Sequence, residues 1–238
     1  MAVTPLIADL VVANHILYDQ GVVDGFGHVS VRSDQRKDRY FMARNMAPSL
    51  VQAEDILEYD LESNPVNALG RRSYLERFIH SEIFRARPDV MAVVHNHSAA
   101  VIPFTVSAAP LRPVYHMGGF LRDVKKFDIR TTTGRMTDML IRDHDLGFSL
   151  AKTLGDSPIA LMRGHGATVV GASLKEVIFR SVYTEVNARV QMQAMALGGA
   201  VEYLSTEEAE LAEKANAGQY DRPWDLWKSQ AIAARRKN

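Results

Sequence analysis

Apolar residues at positions 6, 7, 10, 11, 16 and 17 recur near a helical period, and Gly21 follows as a stop signal, so the pattern predicts a helix over residues 5–20. Past Gly25-Phe26-Gly27-His28 the period changes to two, and Val29-Ser30-Val31-Arg32 reads as a strand. Arg39–Ala43 and Ile56–Leu61 read as two more strands. A loop rich in Pro, Asn and Gly over residues 63–73 leads to a helix over 74–86, which Pro88 ends. The apolar run Val90-Met91-Ala92-Val93-Val94 then enters His95-Asn96-His97 as a buried strand. Pro103, Pro110 and Pro113 break the next stretch into a long loop or short strands. Met139, Leu140, Leu146, Leu150 and Leu154 give one apolar side to a helix over 137–154, followed by strands at Ile159–Met162 and Thr168–Gly171. A long helix over 173–197 starts at Ser173, with Glu176 completing a capping box. The tail carries a short Glu/Ala-rich helix and Arg222-Pro223-Trp224-Asp225-Leu226-Trp227. Helices alternating with short strands, with no repeat and no linker, predict one α/β layered domain over 1–238 whose sheet need not be all-parallel.

Composition narrows the chemistry. The chain has 238 residues, enough for a full core, with 47% hydrophobic and 24% charged residues. Its 28 basic and 28 acidic residues cancel, so no global field favours nucleic acid or an anionic membrane. There is no cysteine, so any metal must sit on His, carboxylate and water. Met1–Asp9 lacks the basic-then-apolar pattern of a leader, and no apolar run approaches a membrane span of ~20 residues. The expectation is a cytoplasmic chain.

Candidate ligands stand at the ends of the apolar strands. Residues 95 and 97 point to the same side if the extended conformation continues, so two imidazoles meet at a strand mouth. His165, between Gly164 and Gly166, follows the strand Ile159–Met162 and supplies a third. Three His with an open fourth position is a common way to hold a catalytic divalent ion. A solvated His-x-His loop is the plainer alternative, and the glycines flanking His165, which allow close approach, argue against it.

Four blocks in order carry a resemblance: Gly27-His28-Val29-Ser30-Val31-Arg32, Glu76 with His80, Arg87-Pro88-Asp89-Val90 into His95-Asn96-His97, and Gly164-His165-Gly166. Together they resemble the class II aldolase/adducin family, over nearly the whole chain. The resemblance implies a three-layer α/β sandwich, with a central, largely antiparallel sheet flanked by helices. It implies a homotetramer with small-molecule sites between subunits, and one zinc or manganese ion on His95, His97 and His165. Glu76 matches the family's acid/base carboxylate, which also approaches the metal when no substrate is bound. His116, with Tyr115 beside it, stands where the aldolases use a tyrosine as proton donor.

Departures from the family pattern bear on the substrate. Sugar-phosphate aldolases carry a Ser-Ser pair before the Glu and a small hydroxyl-bearing loop upstream. Here those positions read Tyr74-Leu75 and Arg44-Asn45-Met46-Ala47-Pro48, and His28 replaces an Asn. The whole set is similar to a decarboxylase branch of the hydroxy-methylpyridine-dicarboxylate type, acting on ortho-hydroxy aromatic acids. An aldolase of an unphosphorylated hydroxy-keto acid or sugar acid is one alternative, and a non-catalytic adducin-like interaction module is another.

Further candidate roles follow from chemistry. Glu76 and His116 are the candidate catalytic residues, and His28 and Tyr115 candidate substrate contacts. Arg44, Arg77 or Arg163 would pair a second carboxylate bidentately. Phe26, Met46 or Trp224 would wall an aromatic ring. The competing structural roles are specific. Ser73-x-x-Glu76 is also a capping box, Arg163 could anchor its own loop, and His80 reads as a supporting or packed residue. His15 and His144 read as surface or packing residues, and Trp224 with Trp227 as a subunit-interface pair.

Overall fold

Thr4 opens the first helix, α1 (Pro5–Asp19): its hydroxyl accepts from the Ile7 N–H at 3.3 Å, and Pro5 occupies the first position, where no N–H is needed. Gly21, at φ +70°, lets the chain leave it. The structure, a computed structural model, describes residues 3–236. Positions 1–2 and 237–238 of the expected domain lie outside the described residues.

Seven strands form one sheet: β1 (His28–Arg32), β2 (Arg39–Ala43), β3 (Ile56–Asp60), β4 (Ala92–Asn96), β5 (Val124–Phe127), β6 (Ile159–Met162) and β7 (Gly166–Gly171). Their order is β3-β2-β1-β4-β7-β6-β5. Every neighbouring pair is antiparallel except β5 with β6, so the largely antiparallel sheet expected from the sequence is present. The other helices are α2 (Phe78–Ala86), α3 (Ile102–Val106), α4 (Ile129–Thr133), α5 (His144–Leu154), α6 (Leu174–Ala196), α7 (Thr206–Ala217) and α8 (Asp221–Arg235).

The two-residue period of β1 sorts the layers. Ser30 meets His80 of α2, and Arg32 donates to the Phe84 carbonyl of α2 at 2.7 Å. Even positions of β1 therefore face the layer of α2 and α5, and Val29 and Val31 face that of α1 and α6. The central strands are buried on both faces; β4 is buried at every position. None of the described helices is long and apolar enough to cross a membrane.

Several elements differ from the sequence pattern. The helix expected over 74–86 is a short 3-10 turn, Leu75–Arg77, followed by α2; Glu76, the middle residue of the turn, stands at φ −88°, ψ 22°, outside the helical range. The helix expected over 137–154 begins only at His144, where the Asp143 carboxylate accepts from Leu146 N–H at 2.9 Å. Met139 and Leu140 belong to the loop before it, and their apolar character serves tertiary contacts instead of a helix face. The proline-broken stretch holds α3 and a 3-10 segment, His116–Arg122, and the edge strand β5 after it carried no sequence signal. At α6 the Ser173 hydroxyl caps as expected, but Glu176 accepts from the Ala172 N–H instead of the cap residue's own. Trp224 and Trp227 are not an interface pair: both are buried within the chain on α8, Trp227 beside Tyr183 at 6.1 Å between rings.

Candidate metal centre

The register of the sheet brings the histidines together. His28 on β1 is the direct cross-strand partner of His95 on β4, and His95 is the partner of Thr168 on β7. His165 sits at the tip of the β6–β7 hairpin, and its N–H donates to the Met162 carbonyl at 3.0 Å. Gly164 makes that tip feasible at φ +63°. Gly166 is required for a different reason. A Cβ there would stand 2.0 Å from the Asn96 carbonyl oxygen, so only glycine lets β7 approach β4 this closely beside His97. Gly166→Ala is expected to cost about 1–3 kcal/mol in urea unfolding, as an overpacked core position does. Unchanged stability would show that the two strands part freely at this point.

Glu76, His95, His97 and His165 present ligand atoms that all lie within 4.8 Å of one another. His95 Nε2 and His97 Nε2 stand 3.1 Å apart. Glu76 Oε2 is 3.6 Å from His95 Nε2 and 3.4 Å from His165 Nε2. Ligand atoms about 2.0–2.1 Å from one ion at tetrahedral angles are about 3.3–3.4 Å from each other, and these three spacings lie near that value. Both nitrogens of His165 are buried without a hydrogen-bond partner, a polar burden that a metal bond at Nε2 would relieve. Burial pushes the pKa values of His95 and His97 down, with the His165 ring contributing next in each case, so both rings are held in the neutral, ligating form.

Glu76 is split between two duties. Its Oε1 accepts from the Ile141 N–H at 2.9 Å, while Oε2 faces the histidines. The 3-10 turn, not a helix N-terminus, places it, and its carboxylate serves the loop before α5 instead of Ser73.

A cavity of about 320 Å³ opens onto this cluster, lined by His28, His95, His97 and Glu76 together with Phe26, Met46, Ala47, Tyr74 and Leu140. Tyr74 also donates to the Met46 carbonyl at 2.5 Å, which ties these two lining residues together. Trp224 is not part of this wall. Nor are the three candidate arginines. Arg44 pairs with Asp55 at 2.7 Å. Arg77 donates to the Ser63 and Tyr74 carbonyls and lies over the Phe78 ring. Arg163 pairs with Asp128 at 2.9 Å, anchoring its own loop.

His116 lines a second cavity, with Met117, Phe179, Tyr183 and Arg222, and within one chain it does not join the His cluster. The Tyr115 hydroxyl is buried without a partner, and burial raises its pKa to about 12. His15 is a packing residue, with Nε2 2.8 Å from the Val51 carbonyl, and His144 bridges α5 to Glu82 of α2 at 2.6 Å. Sequence reasoning missed the Ile141 backbone donor and the contact of Ser30 with His80. The first has no side-chain signal; the second was available as even spacing from His28.

Residues 8–192 match the family of the class II aldolase and adducin N-terminal domain. The chain belongs to that family. The decarboxylase tropJ of Talaromyces stipitatus is 38% identical over 236 residues, covering 90% of this chain and 89% of that protein. The 3,4-dihydroxyphthalate decarboxylase of Arthrobacter keyseri is 27% identical over 226 residues, covering 88% of this chain and 86% of that protein. In fold the chain is similar to the L-fuculose 1-phosphate aldolase of Glaciozyma antarctica, with a TM-score of 0.79 and 22% identity across 98% of this chain and 90% of that one. With such relatives over most of its length, this member of the class II aldolase family is a lyase.

Proposed function

We propose that this lyase is a divalent-metal-dependent decarboxylase of an ortho-hydroxy aromatic or heteroaromatic carboxylic acid, with zinc or manganese on His95, His97 and His165. The observation that carries the reading is the cavity itself: Glu76, His95 and His97 of the ligand cluster line it together with the apolar groups Phe26, Met46, Tyr74 and Leu140. A bound divalent ion would supply Lewis acidity to oxygens of a chelating hydroxy acid.

The chain's own residues supply the rest. The apolar wall takes a flat ring, which gains from such neighbours, whereas a phosphate dianion would meet no hydroxyl pair at Tyr74 and Leu75. Glu76 is the proton carrier: its carboxyl proton goes to the ring carbon that bears the carboxylate. The carbon–carbon bond then breaks, carbon dioxide leaves, and the bonding electrons return to the ring. Solvent reprotonates Glu76. Ile141 holds Oε1 throughout, so Oε2 remains aimed at the site.

We further propose a homotetramer with sites between subunits, in which His116 of the partner subunit completes the site as a second acid/base group. Light scattering on the purified protein should give the mass of four chains.

The deciding experiment is a carbon dioxide release assay on the metal-loaded protein with hydroxybenzoates, hydroxypyridine carboxylates, phthalate-type dicarboxylates and ketose phosphates. Release is expected from ortho-hydroxy acids. Monocarboxylates are expected to outperform dicarboxylates, because among the described residues no Lys or Arg lines the cavity to pair a second charge. Efficient ketose phosphate cleavage without any carbon dioxide release would restore the aldolase alternative.

A further inference from the structure

A buried chain of hydrogen bonds runs from the sheet to the edge of the cavity, and the lyase reading leaves it unused. Ser30 Oγ lies 2.6 Å from His80 Nδ1, and His80 Nε2 lies 2.7 Å from His28 Nδ1. All three side chains are buried. His28 and Ser30 are two apart on β1 and so share a face, and His80 reaches both from α2. Burial drives the His80 pKa to about 3, which keeps its ring neutral.

An imidazole keeps at least one N–H, so a ring whose one nitrogen accepts must carry its proton on the other, and the direction set at Ser30 passes along the whole chain. The Ser30 hydroxyl has no other hydrogen-bond partner among the described residues. If it accepted from His80, its own proton would be buried without an acceptor, a heavier penalty than an idle lone pair. Ser30 therefore donates to His80 Nδ1, and His80 Nε2–H donates to His28 Nδ1. The remaining proton of His28 then sits on Nε2. That nitrogen makes no hydrogen bond within the described chain, and the ring lines the cavity between Tyr74, at 4.7 Å between rings, and the ligand His95, at 5.1 Å.

We propose that Ser30 and His80 are positioning residues that fix His28 as a neutral Nε2–H donor to an anionic oxygen of the substrate. The proposal rests on the lyase reading for the substrate, but not for the direction of the chain. A neutral donor of fixed direction selects oxygen over an apolar substituent at that point of the cavity without adding a cation beside the metal ligands. It also explains why an imidazole serves at position 28: its second nitrogen reaches a partner that holds the ring.

The test reads the ring nitrogens directly. Nitrogen-15 histidine spectra of the metal-free protein are expected to show both His28 and His80 protonated at Nε2 and bare at Nδ1. Protons on Nδ1 in either ring would overturn the proposal. Kinetics give the second reading. In His80→Leu the donor to His28 is gone, and KM is expected to rise by roughly tenfold, the worth of one charge-assisted hydrogen bond, with a smaller change in kcat. His80→Gln retains an N–H donor and should restore KM. Equal KM in both variants and the wild type would reduce His80 to packing. If the spectra show the expected protons while no acid tested releases carbon dioxide, the lyase substrate is wrong and the donor assignment stands.

Discussion

His165→Ala is expected to lose its metal and its activity together, while keeping the fold. The hairpin tip that carries His165 is set by Gly164 and Gly166, so removing the imidazole leaves the β6–β7 turn with its backbone bonds. What remains is His95, His97 and Glu76, a set with one strong nitrogen fewer. Losing a residue that merely supports a ligand typically lowers metal affinity by about 10–100-fold, and losing the ligand itself should exceed that range. Metal content by mass spectrometry after dialysis, read beside circular dichroism, separates ligand loss from unfolding. A His165→Ala protein with full metal occupancy would remove His165 from the site, and a folded, metal-free but fully active one would remove the metal from the reaction.

The parts of this site that were legible in the sequence are those with a local period or a local rule. His95 and His97 follow a continuous apolar strand, and strand geometry alone puts their side chains on one side. His165 shows itself through the glycines around it, and the structure gives each glycine a distinct duty, one a positive φ and the other a backbone approach of β7 to β4. The sheet order was not legible. Cross-strand pairing of His28 with His95 is a long-range fact that no spacing along the chain encodes, and it sets the His28 ring beside the ligand cluster.

Charged residues were the least readable. Arg44, Arg77 and Arg163 have the chemistry to hold a carboxylate, yet each is engaged elsewhere by a partner remote in sequence or by backbone carbonyls. Residues 137–143 failed for a related reason. Their apolar members satisfy helical spacing, but Ile141 supplies a backbone N–H to Glu76, and a donor free for that purpose is found outside a regular helix. Local propensity yielded there to the needs of the site. His116 marks the limit of a single chain: its neighbours here are Tyr183 and Asn216, and only the proposed tetramer would bring it to the His cluster of another copy.

Glu76→Gln is the sharper test of chemistry, because it changes one atom and leaves the surroundings intact. The glutamine carbonyl can still accept from the Ile141 N–H, so the loop before α5 should hold its place. At the other end an amide nitrogen replaces Oε2, which stands 3.4 Å from His165 Nε2 and 3.6 Å from His95 Nε2. Three imidazoles suffice to retain a divalent ion, so metal content should stay near the wild-type level. Turnover should not. An amide neither gives nor takes a proton near neutral pH, and loss of a positioned acid/base group costs typically about 10²–10⁴-fold in rate. KM for the hydroxy acid should move little, since the ring wall of Phe26, Met46 and Tyr74 is untouched. Steady-state kinetics on the metal-loaded variant therefore distinguish three outcomes. A large fall in kcat with metal retained assigns the proton to Glu76. A parallel fall in metal and activity makes Glu76 chiefly a ligand. Unchanged kcat would leave Glu76 as the anchor of the Ile141 loop and move the proton step to another group, with His116 of the partner subunit the first to examine.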